Sequence, residues 1–131
     1  TYEYEPEPFA ELDVYDPATN VWTTKARMPT ARWGAAGGVI DGKLYVAGGR
    51  GTDHSPLTTM EMYDPATNSW GVRAKMLTAR EGAGAAVVGG VMHVLGGKGE
   101  GGSGQLQDGA ALHGSCWHAP AGGLCRIVGW A

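Results

Sequence analysis

Between residues 11 and 97, short runs of alternating apolar and polar residues are separated by clusters of Asp, Asn, Gly and Pro. In TTMEMY (58–63), Met60 and Met62 alternate with Glu61 and Tyr63; in ELDVY (11–15), Leu12 and Val14 alternate with Asp13 and Tyr15. KLYVA (43–47) sets Leu44 and Val46 on one side and Lys43 and Tyr45 on the other. A period of two predicts β-strands. Two stretches of small apolar residues, WGAAGGVI (33–40) and EGAGAAVV (81–88), predict a further strand each. Asp41-Gly42 and Gly89-Gly90 follow them and supply the positive φ angles of two-residue hairpin turns.

The pattern repeats. YDPATNVW (Tyr15–Trp22) returns as YDPATNSW (Tyr63–Trp70), 48 residues on, and Met28 and Thr30-Ala31-Arg32 return as Met76 and Thr78-Ala79-Arg80. VIDGKLYVAGG (39–49) aligns without a gap on VVGGVMHVLGG (87–97), so that Gly48-Gly49 matches Gly96-Gly97. A fixed period near 50 residues is the signature of a repeat architecture. Each unit reads as four strands: a, small and apolar; b, ending in the double glycine; c, ending in the tyrosine; and d, opening with the tryptophan. The Asp-Pro-Ala-Thr-Asn corner between c and d has a physical reading. Asp16 can accept a hydrogen bond from the amide two residues on, Pro17 presets φ, and Asn20 tolerates the left-handed conformation that returns the chain.

A double glycine after an apolar strand, followed by Tyr and Trp at this spacing, resembles the kelch repeat. Gly48, Gly49, Tyr63 and Trp70 carry the resemblance in the complete unit, Tyr15 and Trp22 in the unit before it, and Gly96 and Gly97 in the unit after it. The resemblance implies an all-β fold of kelch-type β-propeller blades, each a four-stranded antiparallel sheet with strand a innermost around a channel. On this reading residues 1–10 are an N-terminal loop segment, 11–97 hold the repeats (a partial blade 11–28, a full blade 33–76, a partial blade 81–97), and 98–131 form an irregular, Gly-rich, non-repeat tail. Where the next tyrosine motif is due, at 111–118, the sequence reads ALHGSCWH. Closed propellers carry roughly four to eight blades, and two blades' worth leaves sheet edges open. Two arrangements meet that difficulty. The chain is one part of a longer propeller, or the a–b pair of one copy completes the c–d pair of another in a head-to-tail homo-oligomer.

Composition narrows the function. Glycine occupies 23 of 131 positions and the net charge is −3, with no block of like charge, which speaks against a nucleic-acid partner. No apolar run reaches the length of a membrane span and no signal peptide precedes Thr1, which leaves the compartment unassigned. No phosphate loop or dinucleotide fingerprint occurs, and no cofactor is implied.

Antiparallel strands sort the loops between two faces. The a–b and c–d turns share one; the b–c loops and d–a connections share the other, where longer and less regular loops favour binding. Arg32 and Arg80 are candidates there for bidentate contact with a carboxylate, set against the more ordinary reading that a repeated arginine satisfies loop carbonyls or pairs with an acid. Arg50, Asp53 and His54 on the b–c loop, and Glu81 in the place of Trp33, complete the candidate binding set. His93, which replaces Tyr45, reads as a packed aromatic substitute. His113, Cys116, His118 and Cys125 supply donor types that suit tetrahedral zinc, but without the paired spacing of known zinc sites. The kelch resemblance implies a module that binds a protein partner through the second face. Its alternatives are a carbohydrate-active enzyme of the oxidase or mutarotase type, with channel-facing Arg and Glu residues, and a purely structural segment of a larger propeller. Fold resemblance does not choose among these.

Overall fold

The computed structural model describes residues 6–100 and the strand backbones at 109–113 and 116–118. Among the described residues ten strands form three antiparallel sheets. The first holds β1 (Asp13–Asp16) and β2 (Val21–Thr24). The second runs in the order β3 (Ala36–Ile40), β4 (Lys43–Ala47), β5 (Met60–Asp64), β6 (Ser69–Arg73), which is strands a to d of one repeat. The third runs β7 (Gly84–Val88), β8 (Val91–Leu95), β9 (Gly109–His113), β10 (Cys116–His118). The fold of the described residues is therefore all-β, built of four-stranded antiparallel sheets like propeller blades, in fewer copies than a closed propeller holds.

Strand a is three residues shorter than its apolar stretch suggests. Gly34 and Gly82 adopt φ of +63° and +65°, which breaks the extended run, and the Gly82 amide donates to the Gly34 carbonyl at 2.8 Å. Adjacent inner strands thus meet backbone to backbone. The same crowding explains Gly38, where an added Cβ would fall 2.8 Å from Val87 Cγ2 and 2.9 Å from Met92 Sδ.

The core lies between the second and third sheets. Ala36, Tyr45, Ala47, Met60 and Met62 on one side meet Met92 and Val94 on the other, with Met76 from the intervening connection. Burial follows from which face looks at a neighbour. Met92 and Val94 point at the four-stranded second sheet and are fully buried, while their equivalents one repeat earlier, Leu44 and Val46, point the same way, toward the two-stranded first sheet, and are only half-buried. At the far end of the stack Val88 and Leu95 are exposed.

The repeated corner forms as its residues dictate. Asp16 Oδ1 accepts the Ala18 amide at 2.9 Å and Asp64 Oδ1 the Ala66 amide at 3.0 Å; Asn20 and Asn68 take φ of 54° and 48°. Each tyrosine hydroxyl donates to that asparagine, Tyr15 at 2.7 Å and Tyr63 at 2.9 Å, and leans on its tryptophan. In the second sheet the corner also grips the preceding connection. Trp70 Nε1 donates to the Ala26 carbonyl at 2.8 Å, and Asn68 Oδ1 accepts the Ala26 amide at 3.0 Å. Trp22 makes the same ring contact with Tyr15 but stays 68% exposed.

The expected non-repeat tail differs from the structure at two strands. β9 pairs with β8 and β10 with β9, so the third sheet has its c and d strands. Their register shows why a fixed 48-residue displacement misses them. Leu112 stands opposite Met92 as Tyr63 stands opposite Leu44, and Trp117 stands opposite Leu112 as Trp70 stands opposite Tyr63. Four residues separate Leu112 from Trp117, where six separate Tyr63 from Trp70. The shorter spacing moves the tryptophan out of step with the period, and a leucine replaces the tyrosine. Sheet pairing uses main-chain groups, so the blade needs neither landmark. This pairing also bears on the head-to-tail arrangement, which requires a free β8 edge; β9 occupies it. The edge of β1 away from β2 has no strand partner among the described residues.

Candidate binding face

The two loop faces separate as strand alternation requires. The a–b turns at 41–42 and 89–90 and the c–d corners lie at one end of the sheets. The b–c loops and d–a connections lie at the other. The second end is built on a buried arginine. Arg32 is 2% exposed; Nη1 donates to the carbonyls of Gly48 (2.8 Å) and Thr59 (2.9 Å), and Nε to that of Thr30 (3.3 Å). Nη2 meets Glu61 Oε1 at 2.6 Å. Glu61, itself 1% exposed, accepts the Thr30 amide at 3.2 Å and the Thr30 hydroxyl at 2.9 Å. Burial pulls the Arg32 pKa below the ordinary arginine value, and the hydrogen bond and charge of Glu61 work against that shift. Arg80 is 1% exposed, and its Nη1 donates to the Gly96 carbonyl at 2.9 Å, the counterpart of the Arg32–Gly48 bond. Both arginines are buried, with guanidinium nitrogens donating to loop carbonyls. Their contacts are those of the loop-satisfying alternative.

Glu61 escaped the sequence reading. On a strand that alternates Met, Glu, Met, Tyr, the carboxylate reads as solvent-facing. In the fold Met60, Glu61, Met62 and Tyr63 are all buried, because a sheet covers one face of β5 and the Thr30–Arg32 connection covers the other. The carboxylate position is not repeated in the third sheet, where the register sets Ala110 opposite Val94 as Glu61 is opposite Val46.

Four of the remaining candidates come together. Trp33 and Arg50 form an antiparallel bridge, as do Glu81 and Lys98 one repeat later. The Arg50 guanidinium lies 5.9 Å from the Trp33 ring centroid, its Nε donates to the His54 carbonyl at 2.7 Å, and its Nη1 approaches Glu81 Oε1 at 3.4 Å. His54 holds φ of 60°, within a tight b–c loop in which Asp53 Oδ1 accepts the Ser55 amide at 3.0 Å. Asp53 thus shapes the loop. Arg50, His54, Ser55, Pro56, Glu81, Gly99 and Glu100 line a pocket of about 360 Å³. Glu81 also lines a smaller one of about 180 Å³ with Trp33, Gly82, Gly97 and Lys98. A third, of about 370 Å³, opens beside Thr58, Leu77, Thr78, Ala79 and the same Glu100. All three sit among b–c loops and d–a connections.

The zinc candidates fall at the margin of the described residues. The register sets Cys116 of β10 opposite His113 of β9, and His118 opposite Ala111. Cys125 lies outside the described residues. Among the described residues no group of three metal-ligating side chains is found, and no helix is long and apolar enough to cross a membrane.

Comparison with known proteins follows the geometry. Residues 31–77 match the family model described as the Kelch motif. An F-box/kelch-repeat protein of Arabidopsis thaliana is 43% identical over 44 residues, which is 34% of this chain and 12% of that protein. Among solved structures, that of YjhT superposes with a TM-score of 0.69 at 19% identity, covering 88% of this chain and 52% of the other. At that identity the likeness concerns the fold. The chain spans a small part of the curated relative's length and about half of the solved chain.

Proposed function

We propose, from the premise that these are kelch repeats by motif and by fold, that the chain is a protein-interaction module. Its partner docks on the face formed by the b–c loops and d–a connections. The observation that supports the reading is a pair of pockets on that face, the Arg50 pocket and the Leu77 pocket, with Glu100 in both linings, which we take as one groove of charged, polar and apolar positions. Leu77 is 63% exposed beside this groove, as an apolar anchor position would be. The opposite face offers tight hairpin turns whose polar groups are spent on their own backbone. Arg50, Glu81, His54 and Leu77 are the residues assigned to contact. Arg32 and Arg80 support the groove from beneath.

Panning a random-peptide phage library on the folded chain tests this. Recovered peptides are expected to lose at least about tenfold in affinity on Arg50→Ala or Leu77→Asp, as hot-spot positions do. They should be indifferent to Asp41→Asn on the opposite face. Peptides that respond only to Asp41→Asn would refute the assignment.

A further inference from the structure

The chain contains two contrasting Arg–Glu pairs. Arg32–Glu61 closes at 2.6 Å, and both Glu61 oxygens are satisfied. Arg50–Glu81 stands at 3.4 Å, long for a charge-assisted bond. Glu81 is only 12% exposed, yet its Oε2 is buried without a hydrogen-bond partner. A carboxylate so enclosed, with one long contact and one oxygen unmatched, is an expensive arrangement to keep. Beside it the Trp33 indole Nε1–H is likewise buried without an acceptor, and Trp33 and Glu81 line the same 180 Å³ pocket. Arg50 stands beside them, its Nε fixed by the His54 carbonyl, its guanidinium over the Trp33 ring and its Nη1 held only by the long contact with Glu81.

The unmet groups therefore comprise one strong acceptor, Glu81 Oε2, and one donor, the Trp33 indole, with the Arg50 guanidinium at hand, on residues flanking two adjoining pockets. Charge is balanced: Arg50 and Lys98 stand against Glu81 and Glu100. A free carboxylate would meet Glu81, and a free ammonium would meet Arg50. A neutral group carrying a donor and an acceptor on neighbouring atoms suits both. We propose that Trp33, Arg50 and Glu81 form a subsite for a carboxamide, the side-chain group of Asn or Gln on the docked partner. Its NH₂ donates to Glu81, and its carbonyl accepts from Arg50 or from the Trp33 indole. The terminal torsion of a glutamate is soft, so Oε2 can turn to the pocket wall at small cost. The subsite arises where the repeat departs from itself, with Glu81 in the place of Trp33 and Lys98 in the place of Arg50.

This inference rests on the docking face proposed above, and its test is chosen to fail separately. Acetamide, acetate and methylammonium are titrated into the ¹⁵N-labelled full chain while the indole N–H resonances are followed, with Trp33 assigned by Trp33→Phe. The expected result is a saturable shift of the Trp33 signal with acetamide alone. Half-saturation should lie on the order of 10–100 mM, as four heavy atoms permit. The Trp70 signal, held by Ala26, should stay still and report an intact fold. Glu81→Gln should weaken acetamide at least about fivefold, Arg50→Ala should weaken it as well, and Asp41→Asn should not. Acetate or methylammonium binding as well as acetamide would overturn the inference. So would the absence of a saturable shift, or acetamide binding indifferent to Glu81→Gln. If face-dependent peptides survive such a result, only the carboxamide assignment falls. If they vanish too, the face itself falls.

Discussion

Replacing Glu61 with alanine isolates the interaction on which the binding face is built. The side chain is 1% exposed and holds three bonds: Arg32 Nη2 at 2.6 Å, the Thr30 hydroxyl at 2.9 Å and the Thr30 amide at 3.2 Å. Its removal leaves the Arg32 guanidinium charged and buried, and strips the connection's amide of its acceptor. Breaking one side of a buried pair costs about 3–5 kcal/mol, against a total stability on the order of 5–15 kcal/mol for a domain. Arg32 also keeps three bonds to the carbonyls of Gly48, Thr59 and Thr30, which hold it in place after the loss and make escape to solvent difficult. The upper part of that range is therefore expected. With a urea m-value of about 2 kcal/mol/M, the unfolding midpoint should fall by roughly 2–2.5 M, followed by tryptophan fluorescence. Glu61→Gln keeps the size and one acceptor and should lose about half as much. In a double-mutant cycle with Arg32→Met, a coupling of about 0.5–3 kcal/mol is expected between residues in direct contact. A loss below about 1 kcal/mol for Glu61→Ala, or coupling indistinguishable from zero, would refute the claim that this pair organises the loops.

Other outcomes follow from the same geometry. The exposed Arg27–Glu11 pair, at 2.8 Å, should contribute less than about 1 kcal/mol, so Arg27→Ala should barely move the midpoint. Gly48→Ala should cost about 2–4 kcal/mol. Its φ is +66°, and an added Cβ would fall 2.5 Å from the Arg80 carbonyl oxygen and 2.8 Å from Met76 Cε. Gly42→Ala, at φ +73° with open space around it, should cost only about 1 kcal/mol, and equal costs at the two sites would contradict the packing described. Trp70→Phe should lose about 1 kcal/mol with the bond to Ala26, whereas Trp22→Phe should stay within about 0.5 kcal/mol, both read by chemical denaturation.

The repeat, its strands and its corners were legible because they depend on local chemistry. Asp16, Pro17 and Asn20 specify a turn whatever surrounds them, and a period of two specifies a strand. The third sheet's outer strands were not legible. Their pairing is a main-chain property, and the shorter spacing before Trp117 shifts the one residue that would have announced them. Glu61 was hidden for another reason. Alternation along β5 tells which residues share a face but not whether the opposite face meets water or another segment, and only the packed Thr30–Arg32 connection decides that. The same holds for the arginines. Sequence placed Arg32, Arg50 and Arg80 on one rim, with Arg32 and Arg80 foremost; tertiary packing turned those two inward onto carbonyls and left Arg50 beside Glu81. Local residue type fixes what a side chain can do, and the arrangement of neighbouring sheets fixes whether it faces water, backbone or ligand.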